Sequence, residues 1–352
     1  MNAEQDLAHC REAIKHGSKS FYAASRLLPG RVRDPALALY AFCRLADDSV
    51  DLVDAKAAAV ASLRARLDRA YAGTPRNDPV ERAFTRMIEE VRMPRALPEA
   101  LIEGLHWDAE ERRYATLSGV RDYSARVASA VGAMMTVLMG VREADTLARA
   151  CDLGVAMQLT NIARDIGEDA IEGRLYLPLD WFAEMDVDPE AFLASPKPRP
   201  EITAMAKRLL AEATRLYHRS EPGISALPTG CRPGIYAARY IYAGIGGRIR
   251  AAGYNSVTRR AHTSTSQKLG LIGVSVASAA VDLVMPRSPV LYAPPLPETA
   301  FLVKAAAERP AFMMAPDRDV AGTLVSVFER MTERDRTISA ERRSGADLGG
   351  AG

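Results

Sequence analysis

Apolar residues recur at three- and four-residue steps through most of the first 255 positions, the spacing that gathers them on one face of an α-helix. Long β-branched runs are absent, and Ala, Leu and Arg, all good helix formers, are abundant. The pattern predicts an all-α protein. Its helices are divided by LPGRVRDP at 28–35, GTPRNDP at 73–79, MPRALP at 93–98 and SPKPRP at 195–200. Residues 143–169 carry Ala, Leu, Met and Ile on several faces, which predicts a central helix surrounded by others. No internal repeat is apparent. After residue 262 prolines at 286, 289, 294, 295, 297, 310 and 316 break the pattern, and the end, SGADLGGAG, reads as frayed. We therefore expect one helical body over 1–262 and a partly disordered appendage over 263–352.

Composition narrows the partners. The chain has 352 residues, 48% of them hydrophobic, enough for one large core or two small ones. A formal charge of +2 is too small to imply a nucleic-acid partner. Cys10, Cys43, Cys151 and Cys231 are far apart, each within a helical pattern, so reduced core thiols are expected rather than a zinc site or disulfides. The opening MNAEQDLAHC lacks a basic segment followed by an apolar run, and a cytoplasmic location is expected. The apolar segment LGLIGVSVASAAVDLVM at 269–285 is short of the ~20 residues a spanning helix needs and includes Asp282. It reads as a surface or membrane-contacting helix.

Two polar stripes interrupt the apolar pattern. On a helix Tyr40, Arg44, Asp47 and Asp51 align along one ridge beside inward-facing Leu39, Phe42, Cys43, Ala46 and Val50. Gln158, Asn161, Asp165 and Asp169 align likewise, with ~12 Å between positions 161 and 169. Like charges at this spacing repel, so each stripe calls for a cation. Carboxylates with an amide oxygen and no thiolate or imidazole are hard ligands suited to Mg²⁺ or Mn²⁺, and Mg²⁺ is usually completed by water and substrate phosphates. A single such stripe reads more readily as a solvated face. Two in register, with Arg44, Arg164 and Arg174 able to fork onto phosphate oxygens, point to a diphosphate-binding mouth.

GSKSF (17–21), YAFCRLADDSVD (40–51), DYSARVASAVG (122–132) and AMQLTNIARDIGEDAIEGRLYLP (156–178) resemble the squalene and phytoene synthase family over about residues 5–262, most of all its bacterial members in carotenoid pathways. The resemblance implies the all-α isoprenoid synthase fold around a deep apolar pocket, making 1–262 the catalytic domain. It implies head-to-head condensation of two geranylgeranyl diphosphates to phytoene through a cyclopropyl diphosphate. By the same resemblance Asp47, Asp51, Asn161, Asp165 and Asp169 bind Mg²⁺ with Asp48 in support, and Arg44, Arg164 and Arg174 clamp the diphosphates. Gln158 positions a ligand or is a plain helix-face amide; Ser18 and Ser20 contact diphosphate or water, or Ser18 caps a helix. Tyr242 reaches the diphosphate region, while Tyr236 and Tyr240 pack.

GIGG at 244–247 is not a dinucleotide fingerprint, since helical sequence surrounds it, and no NADPH site is visible. That favours an ending by proton loss over hydride addition. Where many family members carry YCY-x-VAG, this chain reads YSARVAS: Tyr123 is kept, but Ala125 and Ser129 fill the other positions. A tyrosine at 125 therefore cannot accept the final proton, and the released diphosphate is the expected base. Residues 131–140, VGAMMTVLMG, either line the pocket or form ordinary core. The greasy product implies a membrane surface as a partner, with neighbouring carotenoid-pathway enzymes, and 269–285 either supplies that contact on the inner face of the cell membrane or folds back on the main domain. The rival readings are a shorter-chain synthase making dehydrosqualene, squalene or presqualene diphosphate, and a non-catalytic isoprenoid-binding protein.

Overall fold

The computed structural model describes residues 2–51 and 56–308. Every regular element among the described residues is helical, as the three- and four-residue periodicity predicts. In the amino-terminal part α1 (Ala3–Gly17), α2 (Lys19–Ser25), α3 (Gly30–Asp51), α4 (Lys56–Tyr71), α5 (Pro79–Val91) and α6 (Ala96–Ala109) follow one another across short turns. The punctuation acts as expected: Asp78 caps α5, accepting from the amides of Val80 and Glu81, and Pro79 occupies the first helical position.

A continuous helical run then passes through α7 (Leu117–Ser124), a π-helical turn (Ala125–Ser129) and α8 (Ala130–Leu138). The π turn lies against α9 (Ala144–Ile171), where the Ser129 hydroxyl donates to the Cys151 carbonyl at 2.7 Å. Gly154 on α9 permits this approach, since a Cβ there would stand 2.5 Å from the Ser129 Cα. The helix expected over 143–169 is α9, whose buried residues, among them Leu147, Cys151, Val155, Leu159 and Ile166, fall on several faces. It contributes to both hydrophobic clusters of the core. After α10 (Leu179–Glu184) and α11 (Pro189–Ala194), the long α12 (Pro200–Ala226) packs along α9. The close crossing requires Gly223, where a Cβ would sit 2.2 Å from that of Arg149. α13 (Arg232–Ala251) includes the GIGG segment as ordinary helix.

The boundary expected at residue 262 does not divide the core. α14 (Thr265–Val281) packs on α13, with Tyr236 donating to Asp282 at 2.8 Å and Tyr240 sharing a 2.9 Å bond with Ser278. α15 (Ala300–Ala307) buries Leu302, Val303 and Ala306 in the same cluster as Ala130 and Met134. The prolines at 286, 289, 294, 295 and 297 mark a strap that continues the same body. Its carbonyls at Val290, Leu291 and Ala293 accept from the wholly buried Arg149, and those at Ala306 and Glu308 from Arg142. Buried peptide oxygens outside a helix need such donors. The frayed end expected farther on lies outside the described residues. All four cysteines are free.

Candidate active site

A cavity of about 480 Å³ runs between α3, α8, α9 and α13. On α9 its wall is the stripe Thr146, Ala150, Leu153, Met157 and Asn161, three and four residues apart, which extends about 22 Å at the helical rise. Most of the wall is apolar. Val131 and Met135 from α8 and Met139 just after it line it, so part of the methionine-rich stretch faces the cavity, while Met134 is core.

The polar end holds Arg44 and Asp47 from α3, Tyr123 from α7, Gln158 and Asn161 from α9, and Tyr242 from α13. The two stripes thus meet at one mouth. Arg44 lies 2.6 Å from Asp48 and 3.5 Å from Asp47, half-exposed beside both acids. The Asp51 side chain lies outside the described residues. Gln158 accepts from the Asn161 amide nitrogen at 3.4 Å, whereas the buried Asn161 Oδ1 has no hydrogen-bond partner.

Farther along α9, Arg164 forks onto Asp165 at 2.8 and 2.5 Å, and Arg260 reaches the same carboxylate at 2.9 Å. Burial opposes the charge on Asp165, but these two guanidiniums overcome it and hold its pKa below the ordinary carboxylate value. Asp169 has the opposite fate: burial, reinforced by Asp165 one turn away, pushes it up to about 8 against the pull of Arg174. Among the described residues no three histidine, cysteine or acidic side chains close into a metal cage.

Asp165, Asp169, Arg164 and Arg174 are not on the cavity wall; they stand beside its mouth, since Arg164 and Asp165 act electrostatically on wall residue Tyr242, and Arg174 on wall residue Asp108. Ser18 also lies off the wall and caps α2, its hydroxyl accepting from the Phe21 amide at 3.3 Å, which is the helix-cap reading. Half-buried Ser20 lies off the wall too. Tyr242 packs on Phe21, and burial raises its phenol to about 12 despite Arg164.

Sequence reasoning missed two residues. Asp108 on α6 lines the cavity and accepts from Tyr123 and Tyr176, each at 2.8 Å. Burial raises it to about 6, although both phenols favour its charged form. The available signal was a carboxylate in helical step with Leu101 and Leu105. Arg260, in the segment after α13, had no local signal beyond its charge.

The sequence profile of squalene/phytoene synthases matches residues 14–267. The chain belongs to the squalene/phytoene synthase family. The phytoene synthase of Cereibacter sphaeroides is 56% identical, covering 97% of this chain and 98% of its own. That of Rhodobacter capsulatus is also 56% identical, over 97% and 100%. A dehydrosqualene synthase crystallised with a ligand aligns at TM-score 0.73 and 32% identity, over 79% of this chain and 98% of the other. Like other members of the squalene/phytoene synthase family, the chain is a prenyltransferase with the all-α isoprenoid synthase fold.

Proposed function

We propose that the chain is a phytoene synthase of carotenoid biosynthesis, joining two geranylgeranyl diphosphates head to head through a cyclopropyl diphosphate and releasing diphosphate. Beyond its relatives, the observation that carries this reading is the 22 Å apolar stripe of α9 ending at Asn161. An extended chain advances roughly 1.2 Å per backbone bond, so a C20 prenyl chain of sixteen main-chain carbons needs ~19 Å and a C15 chain ~14 Å. The span of this wall suits the longer substrate.

The donor set at the mouth fits Mg²⁺ or Mn²⁺. Asn161 Oδ1 is buried without a partner, and Asp169 is driven toward its neutral form by burial and by neighbouring Asp165, a strain that a cation would relieve. Asp47, Asp51, Asn161, Asp165 and Asp169 would hold the ions, with Asp48 in support. Bound there, Mg²⁺ supplies the Lewis acidity that draws charge from diphosphate oxygens as the allylic C–O bond breaks.

Arg44, Arg164, Arg174 and Arg260 orient the diphosphates by forked hydrogen bonds. The apolar wall excludes water from the prenyl cation, and Tyr123 and Tyr242 supply that wall with aromatic rings, whose quadrupoles favour positive charge. Neither phenol serves as a base. Burial raises both, and the Tyr123 hydroxyl is committed to Asp108. Released diphosphate, held by the arginines, takes the final proton.

No helix among the described residues is long and apolar enough to cross a membrane. The product is a hydrocarbon, and exposed Leu269, Val281, Leu283, Val284 and Met285 offer an apolar surface through which the enzyme meets the inner face of the cell membrane. The deciding experiment incubates the purified protein with geranylgeranyl diphosphate and Mg²⁺, without NADPH, and identifies the hydrocarbon by mass. Phytoene is expected. A C30 product from farnesyl diphosphate, with none from the C20 substrate, would move the chain to the shorter-substrate branch.

A further inference from the structure

Separate from the catalytic cavity, a groove of about 190 Å³ opens between α12 and α13, with α9 beneath it. Its basic lining side chains are Arg239, Arg250 and His218, and no carboxylate lines it. Arg239 lies at the floor, 8% exposed, with cation–π contacts to Tyr217 and Tyr240. Glu221, outside the lining, pairs with its Nη2 at 2.5 Å, but its buried Nε has no hydrogen-bond partner. An unmatched buried donor is costly and marks a place for an acceptor. Arg250 and His218 stand exposed at the rim.

The lining hydroxyls have already committed their hydrogens. Thr160 donates to the Ala156 carbonyl, Thr214 to the Leu210 carbonyl, and Tyr217 to Thr160. With Arg239 paired to Glu221, the lining charge that has no acidic partner on the groove wall is that of Arg250. Gly247 is exposed on the groove wall, and a Cβ there would meet no atom within 4 Å.

We propose that this groove binds a phosphate group, with the guanidiniums of Arg239 and Arg250 and the imidazole of His218 converging on its oxygens. A tetrahedral anion can take donors from several directions at once, and guanidinium groups match its geometry. The group comes either as free phosphate or as a phospholipid headgroup. Tyr240 joins the two settings, since its ring lies under Arg239 while its hydroxyl bonds Ser278 of α14, the helix with the exposed apolar face. The proposal does not depend on which prenyl diphosphate the catalytic cavity takes.

The test compares the full-length protein with R250Q/H218Q, which removes rim donors, and G247L, which fills the groove and keeps every charge. R248Q, an exposed arginine outside the groove, is the control. One arm titrates inorganic phosphate by calorimetry in Mg²⁺-free buffer. The other measures sedimentation with phosphatidylcholine vesicles, with and without phosphatidylglycerol. All the variants retain the catalytic mouth, so binding there is common to them and cancels. At least tenfold weaker binding in both groove variants, with R248Q unchanged, is expected in one arm: the phosphate arm identifies free anion, the phosphatidylglycerol arm a headgroup. Equal binding by parent and groove variants in both arms, no binding by the parent in either, or an equal loss in R248Q would overturn the proposal.

Discussion

Arg260 reaches back from the segment after α13 to Asp165, 95 positions earlier, and shares that carboxylate with Arg164. Arg260 also lies 3.2 Å from Glu168, so two guanidiniums and two carboxylates interlock beside the mouth, at an acid proposed to hold metal. A diphosphate arriving with its metal ions offers Arg260 a further anionic partner beside Asp165 and Glu168.

Replacing Arg260 by Gln should therefore lower kcat/KM for the prenyl diphosphate by about 10- to 100-fold, the worth of a charge-assisted hydrogen bond of about 1.5–3 kcal/mol. R260K should recover part of the loss, since it restores charge without the fork. Steady-state kinetics at saturating Mg²⁺ provide the check. An unchanged kcat/KM in R260Q would leave Arg260 with a structural role only, as the partner of Asp165 and Glu168.

The Tyr123–Asp108 pair predicts a pH effect. Burial raises Asp108 to about 6, and Tyr123 is one of two phenols that stabilise its ionised form. If the ionised carboxylate is the working form, kcat/KM falls as pH drops through about 6. Y123F removes a donor that favours ionisation, so Asp108 should titrate higher and the fall should begin at higher pH. D108N should abolish that limb. The hydrocarbon formed by Y123F should still be phytoene, because the phenol is not the base; accumulation of the cyclopropyl diphosphate would show that Tyr123 acts in the second half of the reaction.

What could be read from the chain and what could not divides along sequence distance. The central helix was visible at 143–169 and occurs as Ala144–Ile171 because helical periodicity is a local property. The stripe from Gln158 to Asp169 was visible for the same reason. Asp108 was missed because its meaning comes from Tyr123 and Tyr176, the latter 68 positions away. Arg260 acquires its role only when folding brings it to Asp165. The misplaced boundary at 262 has a similar origin: the prolines broke the helical pattern locally, while the partner that buries the strap, Arg149, lies more than 140 positions earlier.

Cavity depth predicts a change of product. Ala150 lies on the stripe about 16 Å from Asn161 at the helical rise. A ring at this point leaves room for the ~14 Å of a C15 chain and blocks the ~19 Å of a C20 chain. A150F should reduce turnover of geranylgeranyl diphosphate at least tenfold and favour farnesyl diphosphate, with a C30 hydrocarbon detected by mass. Equal losses with both substrates, accompanied by a lower melting temperature, would show that Phe disrupts packing rather than shortening the channel.

The carboxyl end of α14 provides a test of membrane contact. Val284 is 83% exposed and Met285 61%, so neither contributes much to the core, and acids at both sites should leave the fold intact. Between Ser264 and Ala293 the charged residues are Lys268, Asp282 and Arg287, and the Asp282 carboxylate already accepts from Tyr236. The surface thus combines apolar side chains with two cations, a composition suited to an anionic bilayer. V284D/M285D removes apolar contact and adds two like charges against the lipid. Sedimentation with vesicles containing phosphatidylglycerol should fall at least tenfold, while turnover of detergent-dispersed substrate stays within about twofold, because neither residue touches the catalytic cavity. If vesicle binding survives these two acids, this patch is not the surface that meets the membrane.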